Sequence, residues 1–79
     1  DPKNVAALNN LAWILAPRPE MSARAMGLID RAVAEIGLTG ELLDTRARIR
    51  IEAKQFPMAE ADLQQALLQE QTGLRHFHV

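Results

Sequence analysis

Arg46 and Arg50 carry charge where it is hardest to accommodate. On a helical wheel both fall among Leu42, Leu43, Ala47, Ile49 and Ala53, inside an otherwise apolar arc. A guanidinium removed from water is costly unless a carboxylate meets it. The candidate acids are Asp30 and Glu35 upstream and Glu60 and Asp62 downstream. Two kinds of chemistry fit. In one, Asp30 and Asp62 close structural ion pairs while the arginine stems pack along the apolar arc. In the other, the guanidinium groups hold an anion or a partner's carboxylate. Replacing Arg46 with leucine separates them, because only the second loses a partner while stability is kept.

Other polar residues offer less. His76 and His78 diverge on a helix and share a face only in a strand, and the chain has no cysteine, so no metal site is expected. Ser22 has no evident histidine partner, and there is no glycine-rich phosphate loop. Neither catalysis nor a cofactor is therefore expected. Trp13 points away from the apolar stripe of its own segment, which suits either a binding anchor or a contact with a neighbouring helix. Asp44 and Arg48 are four residues apart and could simply pair with each other.

Composition narrows the class. The 79 residues form one small domain with a net charge of −1 and mixed signs, which argues against a nucleic-acid or membrane surface. No apolar run is long enough to span a bilayer. Alanine and leucine dominate, followed by other good helix formers. The spacing predicts helices over 4–16, 20–36, 40–54 and 57–71, with the start of a fifth over 74–79. Asp1 or Asn4 would cap the first, Pro17 and Pro19 would end it, and Gly37 would stop the second. Thr39 would cap the third, and Gln55 and Phe56 would link it to a fourth opened by Pro57 and broken by Gly73. The expected inward faces are Leu8, Leu11, Ala12 and Leu15; Ala25, Leu28, Ile29, Ala32, Val33 and Ile36; and Ala59, Ala61, Leu63, Ala66 and Leu67.

These faces repeat. Ala25, Ile29, Ala32 and Val33 recur 34 residues later as Ala59, Leu63, Ala66 and Leu67. Leu8 and Ala12 recur 35 residues later as Leu43 and Ala47, and Leu43 recurs 34 residues on as Phe77. With this period and pattern the chain resembles the tetratricopeptide repeat family. The first unit supplies Leu8, Leu11, Ala12, Ala25, Ile29 and Ala32, and the second Leu43, Ala47, Ala59, Leu63 and Ala66. Asp1-Pro2-Lys3-Asn4 resembles the close of a preceding unit. Several positions depart from the pattern. Gly37 and Gln71 stand where a closing proline is usual, Arg46 where leucine is usual, and Leu15 and Arg50 where an aromatic is common.

The resemblance implies an all-α solenoid of antiparallel helix hairpins: one repeat over 4–39, a second over 40–73 and a third begun over 74–79. The chain opens on Asp1 and stops in mid-motif, so it reads as a piece of a longer array. The resemblance also implies a non-catalytic module that holds a peptide or partner helix along the first helix of each repeat. That groove would show Ala6, Asn9, Asn10 and Trp13, then Glu41, Asp44, Thr45, Arg48 and Glu52. Asn9 and Asn10 could equally be solvated or bonded between helices. The paired lysines with which some relatives clamp a terminal carboxylate are absent, so that kind of binding is not expected. Two other roles remain open: a helical repeat that reads single-stranded RNA, disfavoured by Glu41, Asp44 and Glu52 around Arg48, and a regulatory appendage of a larger enzyme. Uncovered repeat ends, with apolar Leu74, Phe77 and Val79, lead to an expected homodimer or higher self-association, through an exposed end or an exchanged terminal helix.

Overall fold

The computed structural model describes the backbone of residues 2–78 and the side chains of residues 4–70. The fold is all-α. Helices α1 (Pro2–Leu15), α2 (Ser22–Ile36), α3 (Gly40–Glu52) and α4 (Phe56–His78) follow one another, with a single 3₁₀ turn at Pro19–Met21 between the first two.

Proline and glycine set most of the boundaries. Pro2 opens α1, where a missing N–H costs nothing. Asn4 therefore lies inside the first turn rather than capping it, and the alternative cap, Asp1, is outside the described residues. Pro17 prevents α1 from continuing. Arg18, which precedes Pro19, is held extended at φ −101° and ψ 105°, as ring sterics require. The helix expected from residue 20 thus begins as a 3₁₀ turn and becomes α-helical at Ser22.

Gly37 ends α2 at φ 81° and ψ −175°, a region essentially closed to residues with a Cβ. Thr39 then caps α3 by accepting from the Leu42 amide at 3.3 Å, with Glu41 in the first turn against the helix dipole. The close of α3 had no signal in composition. Lys54 takes a left-handed conformation at φ 63°. Its amide bonds Ile51 O at 3.0 Å and the Gln55 amide bonds Arg50 O at 2.7 Å, the paired closure that usually employs glycine.

The break expected at Gly73 is absent, and so is a separate fifth helix over 74–79, because α4 runs through to His78. One glycine costs a helix only about 1 kcal/mol, which the strong helix formers around it offset. The side chains of Leu74, His76, Phe77, His78 and Val79 lie outside the described residues.

Helix α1 packs on α2, α3 on α4, α2 on α3, and α1 also touches α3. The main core gathers Val5, Ala12, Ala16, Ala25, Ile29, Ala32, Leu42 and Ile49, bordered by Leu8, Leu15, Met26, Leu28 and Val33. Leu43, Ala47 and Ala59 are buried as well. Alanine at the contacts allows close approach, and the branched residues fill the remaining space. Part of the expected inward face is open instead. Leu11, Ile36, Leu63 and Leu67 are 39 %, 48 %, 41 % and 57 % exposed, and Ala61 is exposed too.

Two glycines in one helix and its stop should respond oppositely to a Cβ. Gly27 lies mid-helix with open space around it, so Gly27→Ala is expected to stabilise by about 0.5–1 kcal/mol. Gly37→Ala is expected to destabilise by about 1–3 kcal/mol through backbone strain alone. Urea unfolding of the two variants checks the signs; equal effects would contradict this reading of the helix stop.

Candidate functional site

Helix α3 carries polar side chains on two faces, and each meets a different neighbour. Toward α4, Arg46 and Arg50 lie one turn apart and converge on Asp62. Arg46 grips it with two bonds, Nε to Oδ2 at 3.1 Å and Nη2 to Oδ1 at 2.7 Å. Arg50 adds Nη1 to Oδ2 at 2.7 Å. The Asp62 side chain is only 4 % exposed, against 18 % and 14 % for the arginines. The acid is thus enclosed while the cations keep an edge to water. Two guanidinium groups on one carboxylate leave a local surplus of positive charge, and Arg50 Nε is buried without a hydrogen-bond partner.

Asp30 does not join this cluster. It sits exposed on α2, whose buried stripe is Ala25, Ile29 and Ala32. Glu60 is also exposed, where it accepts from Gln64 at 3.4 Å. Farther along α4, Gln69 Nε2 donates to the Leu38 carbonyl at 2.8 Å, just ahead of α3.

Toward α1, the Thr45 hydroxyl donates to Asn9 Oδ1 at 2.6 Å and lies 3.1 Å from the Glu41 carbonyl one turn earlier. Thr45 is buried, so it ties helices together and offers nothing to a ligand. One turn farther on, the Arg48 guanidinium lies over the Trp13 ring at 4.2 Å from its centroid, within the range where a cation is drawn to the ring face. Arg48 stacks on Trp13 and forms no ion pair with Asp44 among the described residues. Trp13 remains 44 % exposed, so it serves as a helix contact and a surface residue together. Asn10 and Asp44 are exposed on either side of this seam.

The seam also has a recess, and three of the residues expected along the groove, Ala6, Asn9 and Glu41, line it. A cavity of about 220 Å³ opens between α1 and α3, lined in part by Val5, Ala6, Asn9, Thr39, Glu41 and Leu42. Its depth depends on how closely the two helices approach, and Val5, Thr39 and Leu42 in its lining were not among the residues expected there. Ser22 Oγ is buried and out of reach of a substrate. Among the described residues, no three of His, Cys, Asp or Glu gather as a metal site, and no helix is long and apolar enough to cross a membrane. Comparison with protein-family models, with curated proteins and with solved structures finds no match for the chain.

The charge cluster leads to a graded expectation. Asp62→Ala strands two guanidinium groups and should cost about 3–5 kcal/mol. Arg46→Leu leaves Arg50 on Asp62 and adds apolar surface within the arc, so it should cost well under half of that. Chemical denaturation of both variants is the check, and an Asp62→Ala protein as stable as the wild type would refute the structural role.

Proposed function

We propose that the chain is a pair of tetratricopeptide-like helical hairpins acting as a non-catalytic protein-interaction module. In this reading α1–α2 and α3–α4 are two copies of one unit, and the α1/α3 seam holds an extended peptide or a partner helix.

One observation carries the reading. Asn9 meets Thr45 and Trp13 meets Arg48, contacts between residues 36 and 35 apart in the chain. A nearly constant offset is what two helices running in the same direction make, and it matches the repeat period. The antiparallel course of α3 and α4 has similar support: Asp62 meets Arg46 at mid-helix, while the later Gln69 reaches back to the earlier Leu38. Burial adds to this, since the matched pairs Ala12 and Ala47, and Ala25 and Ala59, are all enclosed. The matched pair Ile29 and Leu63 differs, with Ile29 fully buried and Leu63 41 % exposed. That difference suits a stack in which α3 covers the first unit and nothing among the described residues covers the second.

The chemistry of the seam suits holding rather than reacting. The Asn10 amide can pair with a peptide's N–H and C=O groups, and Trp13 supplies a broad apolar anchor. Asp44 and Glu41 give the rim a negative charge that favours a partner with basic residues.

Selection of ligands from a displayed random-peptide library tests this reading. Trp13→Ala should weaken the selected peptides by about 30-fold or more, the loss typical of a hot-spot aromatic, while Gln64→Ala on the far side of α4 should leave them unchanged. Selected peptides indifferent to Trp13, or preferential binding of a single-stranded RNA oligonucleotide at moderate salt, would overturn the proposal.

A further inference from the structure

The two ends of the molecule are both open and apolar, and they are opposite in charge. At one end α1 and α2 form a groove floored by Leu8, Leu11 and Leu28. Arg24 and Arg31 border it, against one acid, Glu35. At the other end α3 and α4, with the close of α2, form a groove floored by Ile36, Leu63 and Leu67. Glu41, Asp44 and Glu70 border that one, and among the described residues no basic side chain lines it. Neither groove complements itself: a basic rim repels a basic rim, and an acidic rim an acidic one.

We infer that the occupant of each groove is the opposite end of a second copy of this chain, in a head-to-tail contact. The contact sets leucine against leucine and isoleucine, with Arg24 and Arg31 facing Glu41, Asp44 and Glu70. A contact between unlike faces leaves one face free on each copy, so growth continues beyond the dimer. The sequence alone led to a homodimer or higher self-association through an exposed end or an exchanged terminal helix; the grooves single out an open contact between unlike ends. This contact shares Glu41 and Asp44 with the rim of the α1/α3 seam, but its apolar floors do not include Trp13, so a Trp13 variant distinguishes its failure from that of the proposed function.

Mixing of singly blocked chains tests it. Leu11→Asp blocks one end and Leu67→Asp the other; both positions are already exposed, and circular dichroism verifies that each variant is helical. Sedimentation of the wild type should show mass rising with concentration past the dimer and falling as salt is raised. Each variant alone should be monomeric, and an equimolar mixture should give a single heterodimer and nothing larger. Trp13→Ala should assemble as the wild type does. A wild type that remains monomeric to millimolar concentration, a wild type that stops at the dimer, assembly indifferent to salt, or either blocked variant dimerising by itself would each overturn the inference.

Discussion

Helices in this chain approach one another through alanine, and the other contacts depend on that closeness. Ala12, Ala16, Ala25, Ala32, Ala47 and Ala59 are each at most 2 % exposed. Alanine gives up no side-chain entropy on burial and is the best helix former, so the close contact and the helix itself favour the same residue. Larger side chains at these sites would force helix axes apart at a typical cost of about 1–3 kcal/mol. The polar contacts between helices have little tolerance for such a shift. The Thr45–Asn9 bond is 2.6 Å and the bonds of Arg46 and Arg50 to Asp62 reach 2.7 Å. A displacement of one ångström would break them and leave buried polar groups unsatisfied.

Buried ion pairs of this kind add little net stability, because desolvation offsets much of their attraction. Their effect lies in what they forbid. Sliding α4 along α3 by one turn would take Asp62 out of reach of one arginine or the other, since the two are themselves one turn apart, while leaving small and apolar residues still able to pack. The apolar contacts alone would accept several registers, and the carboxylate accepts one. On the other face of α3, Arg48 over Trp13 and Thr45 on Asn9 relate α3 to α1 in the same way. Helix α3 is thus the element from which the others take their positions, and the α1/α3 seam inherits its geometry from the contacts on both faces of α3.

Much of this was legible in the residues. Helix periodicity, the stops at Pro17 and Gly37 and the cap at Thr39 all follow from local chemistry, which acts within a turn or two of chain. Asp62 was among the acids that the apolar setting of Arg46 and Arg50 called for. Asp30 was another, and it faces solvent, because a wheel reports direction around one helix and not which neighbour lies there. Leu11, Leu63 and Leu67 sit on apolar stripes yet remain exposed, since a stripe records what could be buried and only a covering helix buries it. Thr45 shows the reverse case, a polar residue expected at the surface and enclosed by its bond to Asn9. Lys54 in a left-handed turn and α4 continuing through Gly73 are departures of about 1 kcal/mol, too small for residue preference to decide.

The central claim is that α1 and α3 are equivalent helices laid side by side in the same direction. Distances between spin labels at exposed positions test it directly: one pair at residues 6 and 41, another at residues 10 and 44. Helices running in the same direction keep the two distances within a few ångströms of each other, since the labels advance together at about 1.5 Å per residue. Helices running in opposite directions would displace one pair along the axis by about 10 Å relative to the other, and that result would contradict the repeat and, with it, the shared seam.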